Sequence, residues 1–277
     1  MEKIKIGFIG TGNMGSCLAL SIKDYAKSFL LLNNRTLSKA EDLHQKINNS
    51  EILPIKEVIK ESEYIFIGVK PIDFKEVLKE IKEINNKSVI ISMVAGIILD
   101  EIKSIIDNPI IRILPNTPVL VKKGLTLVCY SSSVTDIQKN EFMNFMKETG
   151  ELIEVKEEDI NKISVITGSA PAYIDYFIDA LIKAGVNQGM EEKKVTEYVL
   201  KMIEGTIRLN LSSNKTPLEL GKEVCSPGGS TIEGVNVLLK NNIYKIVEDA
   251  YLATLNKNML FNRFNFQFYF NYDLFRI

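Results

Sequence analysis

Short apolar runs alternate with helical patterns through the first half of the chain. Strand-like runs are Ile4–Gly10, Phe29–Asn33, Tyr64–Val69, Ser88–Val94, Ile110–Leu114, Leu125–Tyr130 and Leu152–Val155. Helical periodicity falls between them, near Met14–Lys27, Leu37–Ile47, Phe74–Ile84, Leu99–Ile105 and Ile137–Glu148. The run Tyr64-Ile65-Phe66-Ile67 has no polar break, as a parallel strand covered on both faces requires. This rhythm predicts a doubly wound α/β sheet of Rossmann type. After about Val155 the strand signal stops. Helical patterns follow at Asn161–Ile166, Ala172–Gln188, Glu192–Ser212 and Ser230–Leu255, with Gly189 and Gly221 where helices would end. The reading is a sheet domain over residues 1–155 and an all-α domain over 156–277. Helices with this much apolar surface predict burial against a second copy, a homodimer. In the tail, Phe264, Phe266 and Phe268 alternate with polar residues, which favours a strand or an edge-pairing segment.

Composition narrows the function. Lys and Arg number 34 against 35 Asp and Glu, a net charge of −1, so nothing points to nucleic acid or an anionic membrane surface. Three cysteines, Cys17, Cys129 and Cys225, have neither metal spacing nor the even count of a disulfide framework. No metal site is expected. No run is long and apolar enough to span a bilayer. Met1–Lys5 leads directly into the first strand, so the start reads as the mature start and the compartment as the cytoplasm. The single histidine, His44, is the only one a histidine-based dyad could use.

Gly10-Thr11-Gly12-Asn13-Met14-Gly15 follows the first strand and opens a helix, the context in which G-x-G-x-x-G binds a dinucleotide. The first glycine permits the turn, the second admits pyrophosphate and the third lets helix and strand pack closely. The next strand ends in Asn33-Asn34-Arg35-Thr36. An acid there would accept the ribose 2′-hydroxyl of NAD, and none is present. Arg35 suits a 2′-phosphate, with Asn34 and Thr36 as further donors, so NADPH is the expected cofactor, with NADH a possible substitute.

Three later segments are unusual for mere scaffolding. Val69-Lys70-Pro71 ends a buried strand at the carboxyl edge. Arg112-Ile113-Leu114-Pro115-Asn116-Thr117-Pro118 ends another, and its prolines hold Asn116, assigned to the cofactor side, and Thr117. Ser226-Pro227-Gly228-Gly229-Ser230-Thr231 precedes a helical run. It reads either as an anion site of bare N–H groups and hydroxyls or as ordinary capping by Ser230 or Thr231. Gly168-Ser169-Ala170-Pro171-Ala172-Tyr173 opens a long helix with small residues that favour close packing.

GFIGTGNMG, GVKP, SMVAGI, RILPNTP, TGSAPAY and VCSPGGSTIEGV, in that order from Gly7 to about Leu255, resemble the pyrroline-5-carboxylate reductase family. The resemblance implies a Rossmann domain followed by a helical dimerisation domain, in a homodimer that can assemble further. It implies reduction of 1-pyrroline-5-carboxylate to L-proline by NADP(H). Thr231 matches the active-site threonine, bonding the substrate ring nitrogen. Groups of Ser226, Gly228, Gly229, Ser230 and Thr231 match the carboxylate site, and Val69, Lys70, Pro71, Ala95 and Gly96 match the cofactor lining. Two departures stand out: Glu223, where relatives often carry an amide, and the aromatic tail.

Two other readings fit less of the sequence. A β-hydroxyacid dehydrogenase needs a lysine early in the helix after its glycine-rich segment, and Gly168–Leu181 contains none. A non-catalytic relative of late-competence type shares the N-terminal motifs, whereas this chain keeps both PNTP and SPGGST.

Overall fold

The structure, a computed structural model, describes residues 3–264, with side chains described through residue 259. The chain forms two compact units, one of residues 3–169 with 254–264 and one of residues 170–253.

The first unit is built on one eight-stranded sheet. Its strands are β1 (Ile4–Ile9), β2 (Ser28–Asn33), β3 (Ser50–Ile52), β4 (Tyr64–Ile67), β5 (Val89–Ser92), β6 (Ile110–Leu114), β7 (Gly124–Tyr130) and β8 (Gly150–Glu154). They lie in the order β3-β2-β1-β4-β5-β6-β7-β8. The first six are parallel, β7 runs antiparallel to β6, and β8 is parallel to β7. The intervening helices are α1 (Asn13–Ile22), α2 (Leu37–His44), α3 (Ile55–Glu61), α4 (Pro71–Ile84), α5 (Leu99–Lys103) and α6 (Asp136–Met146), followed by α7 (Glu157–Ser164).

Side-chain alternation along each strand makes two cores. Ile6, Phe8, Leu30, Leu32, Tyr64 and Phe66 pack on one face beneath Leu18 and Ile22 of α1 and Phe142 and Phe145 of α6. Phe8 and Phe66 are register partners, and their rings stack at 4.6 Å. Ile9, Leu31, Ile65, Ile67 and Ile90 face the other way, toward Val58 of α3 and Phe74, Val77, Leu78 and Ile81 of α4. Those four α4 side chains recur at helical spacing, and burying each contributes roughly 1.5–3 kcal/mol. Pro71 opens α4 at its first position, and Asn85, at φ 52°, closes it in the left-handed conformation. The expected doubly wound sheet is therefore present, with helices on both faces.

The second unit is helical: α8 (Ala170–Asn187), α9 (Glu192–Ser212), α10 (Pro217–Val224), α11 (Ser230–Lys240) and the start of α12 (Ile243–Phe264). A π-helical turn, Val165–Ser169, leads into α8. Gly189, at φ 84°, follows the end of α8 at Asn187, as expected. An added Cβ on Gly185 would lie 2.5 Å from Cγ2 of Val195, so this glycine lets α9 approach α8. Gly221 does not end a helix. It lies inside α10, which Pro217 and the reciprocal Thr216–Glu219 capping bonds start. The expected Ser230–Leu255 helix is two helices, broken at Asn242 with φ 56°. Of the alternating aromatic tail only Phe264 is described, as the end of α12; the rest lies outside the described residues.

Within this unit only Val195 and Val199 are buried hydrophobics, whereas Tyr176 and Leu211 are 80% and 83% exposed. No helix of the described residues is long and apolar enough to cross a membrane.

Candidate active site

The glycine-rich turn joins β1 to α1. Gly10 has φ +93°, and a Cβ there would lie 2.8 Å from the Gly68 carbonyl group at the end of β4. A Cβ on Gly15 would collide with the Gly10 carbonyl oxygen, so the third glycine seats α1 on the turn. Gly12 differs: a Cβ there would meet nothing within 4 Å. The space beside it is open to a ligand. Gly12 occupies the N-cap of α1 and no side chain caps that helix, which leaves first-turn N–H groups for an anion. Thr11 is buried, and its Oγ1 has no partner among the described residues. Asn13 is exposed at the helix start, and Met14 packs against the core.

A cleft of about 410 Å³ opens beside this turn. Gly10, Gly12, Asn34, Arg35, Thr36, Val69 and Lys70 line it. The open face at Gly12, the uncapped N–H groups and the cationic side chains fit a dinucleotide phosphate. The Asn34 amide is engaged within the fold. Its Oδ1 accepts the Thr11 N–H at 3.1 Å and its Nδ2 donates to the Thr36 carbonyl at 2.9 Å. Asn34 thus ties the β2 end to the glycine turn, and Arg35 beside it is exposed. Asp73, Glu76 and Glu80 of α4 line the same cleft, which sequence reasoning missed. Their spacing, opening with an acid two residues after Pro71, is the signal that places them on one helix face.

A second cavity of about 150 Å³ lies at the carboxyl ends of β5 and β6. Ala95 and Gly96 line it with Leu114, Pro115, Asn161, Ser164, Gly168, Ser169 and Asn258. Asn116 is buried and does not line it. Its Nδ2 donates to the Thr167 carbonyl at 2.9 Å and its Oδ1 accepts the Leu125 N–H at 2.8 Å. The side chain braces the β6 loop against the π-helical turn and β7. Arg112 meets Glu157 at 3.0 Å, and the same carboxylate oxygen accepts the Leu99 N–H at 2.8 Å. Glu101 accepts the Ile98 N–H, and burial raises its carboxyl above the ordinary value. These carboxylates were not singled out from sequence.

The SPGG segment forms a turn of its own in the helical unit. Gly229 N–H donates to the Ser226 carbonyl at 3.0 Å, Pro227 holds the second position, and Gly228 has φ +72°. That is a type II arrangement, and it demands glycine at the third position. Gly229, not Ser230 or Thr231, is the N-cap of α11, and no side chain caps the helix. Ser230 and Thr231 are its first two residues, and both are exposed. Bare N–H groups next to two hydroxyls can hold a small carboxylate. Glu223 is ion-paired with Lys215. His44 Nδ1 is 2.9 Å from Ser50 Oγ, a local contact at the end of α2. No group of side chains suited to a metal ion occurs among the described residues.

Comparison with known proteins extends this reading. The family model for pyrroline-5-carboxylate reductase dimerisation matches residues 157–259, and that for NADP oxidoreductase, coenzyme F420-dependent, matches residues 5–96. A pyrroline-5-carboxylate reductase of Staphylococcus epidermidis is 30% identical over 263 residues, covering 92% of this chain and 97% of that protein. The Staphylococcus aureus enzyme is 29% identical over the same length. Among solved structures, Plasmodium falciparum pyrroline carboxylate reductase with NADP bound aligns at TM-score 0.85 and 28% identity, covering 95% of this chain and 99% of that one. The Streptococcus pyogenes 1-pyrroline-5-carboxylate reductase aligns at 0.85, over 92% and 98%. Near full-length agreement in both sequence and fold leads to one assignment: the chain belongs to the pyrroline-5-carboxylate reductase family.

Proposed function

We propose that this chain reduces 1-pyrroline-5-carboxylate to L-proline with NADPH, the last step of proline synthesis, and does so as a homodimer in the cytoplasm. The observation that carries the reading is the type II turn at Ser226–Gly229 feeding an uncapped helix, in a chain that also presents a dinucleotide turn. NADPH, when bound, supplies the hydride. Gly10, Gly12 and Gly15 with the α1 N-terminus hold its pyrophosphate, Arg35 and Thr36 its 2′-phosphate, and Val69, Lys70, Pro71, Ala95 and Gly96 its remaining length. The functional division lies near residue 155, just after the last strand ends at Glu154.

The residues of the α11 turn do the substrate work. First-turn N–H groups of Ser230 and Thr231, beside the turn that Gly229 closes, grip the carboxylate, which fixes ring carbon C5 in place. The Thr231 hydroxyl bonds the ring nitrogen. C5 of the protonated imine accepts the hydride, and the C=N π pair becomes the amine lone pair. A protonated imine is already a strong electrophile, so orientation suffices and no strong general acid is needed. The apolar side chains left exposed on α8, α9 and α11 support burial against a second copy.

The test is NADPH oxidation with 1-pyrroline-5-carboxylate, with proline identified as product, repeated with NADH and with the six-membered cyclic imine. NADPH binding without proline formation overturns the reading in favour of a non-catalytic relative.

A further inference from the structure

The cleft beside the glycine turn has two walls of opposite charge. Arg35 and Lys39 stand on the side of β2 and α2, whereas Asp73, Glu76 and Glu80 descend the facing side of α4. Arg35 does not face the cleft uncommitted. Its Nη1 lies 3.3 and 3.4 Å from the two carboxylate oxygens of Asp73. The Arg35 side chain is 80% exposed and free to turn, while Asp73 is only 32% exposed. Asp73 is also the anchored partner, set in the first turn of α4, where the positive end of the helix favours a carboxylate.

Resting on the reading that this cleft takes NADPH, we infer that Asp73 determines the coenzyme specificity of this chain by competing with the 2′-phosphate for Arg35. A 2′-phosphate carries nearly two negative charges and gains most from a bidentate guanidinium. To offer that guanidinium, Arg35 must leave Asp73. A 2′-hydroxyl needs no such release, and Asp73 offers it a carboxylate acceptor. The end of β2 lacks an acid for this purpose, and α4 supplies one from a different element. The pair therefore weakens NADPH without weakening NADH, and narrows the discrimination that Arg35 alone would give.

The experiment uses equilibrium binding of 2′,5′-ADP and 5′-ADP to the full chain, so it needs no imine substrate. Failure to reduce 1-pyrroline-5-carboxylate would sink the functional reading and leave this measurement intact. Exposed ion pairs are weak, so Asp73→Asn should tighten 2′,5′-ADP by about threefold to tenfold. Binding of 5′-ADP should not tighten. Arg35→Ala should weaken 2′,5′-ADP by about tenfold or more. In an Arg35→Ala background, Asp73→Asn should change 2′,5′-ADP binding by less than about twofold, because the competition is gone. An unchanged affinity ratio in Asp73→Asn, or an equal change for both ligands, overturns the inference. So does a full gain that persists without Arg35, since Asp73 would then act by direct repulsion.

Discussion

Arg112 and Glu157 form the most enclosed ion pair among the described residues, with Nη1 3.0 Å from Oε1, the arginine fully buried and the glutamate one quarter exposed. The carboxylate also receives the Leu99 N–H. One contact therefore links β6, the start of α5 and the start of α7. Segments flanking that junction line the second cavity.

Removing one partner of such a pair strands a buried charge. Glu157→Ala should lower unfolding stability by about 3–5 kcal/mol. Glu157→Gln keeps an acceptor for both donors and should lose less. Urea denaturation of the two variants checks the order, and equal losses would remove the pair from the stability argument.

Gly12 and Gly15 should separate binding from folding. Gly12→Ala meets no neighbour, so its melting temperature should stay near that of the parent while NADPH titration shows affinity down about tenfold or more, an added methyl standing where pyrophosphate approaches. Gly15→Ala collides with the Gly10 carbonyl and should also lose about 1–3 kcal/mol of stability, as overpacked sites do.

The Cys129 thiol should mark the alkaline limit. Burial pushes it from 9.0 up to about 11, and nearby Glu157 adds to the effect. Its Sγ lies 3.2 Å from the Val155 carbonyl. Stability from this group is complete below about pH 9. Between about 9 and 11 the unfolded chain releases the proton and the folded chain keeps it, so unfolding gains up to about 3 kcal/mol. Urea midpoints measured across that interval should fall less steeply in Cys129→Ala. Identical slopes would assign the decline to Tyr130, which burial raises to about 12, and to Tyr64, raised by burial and by Glu141.

Thr231 is exposed in the first turn of α11. Thr231→Ala should cut kcat by about tenfold or more, roughly 1.4 kcal/mol, while leaving the melting temperature in place. Steady-state kinetics with saturating NADPH reads this directly, and unchanged turnover would remove Thr231 from the mechanism.

The sheet was legible because its strands are almost uniformly apolar. Ile110–Leu114 appears with the bounds its residues suggest, and Tyr64–Ile67 lies buried throughout. The short β3 was not legible: Ser50-Glu51-Ile52 is three residues with one apolar side chain, and pairing with β2 makes it a strand. Helix α10 was hidden because Gly221 reads as a stop, while the Thr216–Glu219 cap and Pro217 outweigh it. In the site, the glycine turn was readable from local spacing. Asp73 and Glu157 were not, because each acts on a residue dozens of positions away, Arg35 and Arg112, and only folding brings the partners together.

The helical unit, with Val195 and Val199 as its only buried hydrophobics, has almost no interior of its own. In the homodimer proposed above, its persistence becomes a property of a population rather than of a molecule. Each twofold dilution removes part of what holds it together, so its melting point becomes a function of how much protein is present. A cell that makes little of this chain would expose its long helices to proteolysis, and abundance itself would act as the stabilising ligand.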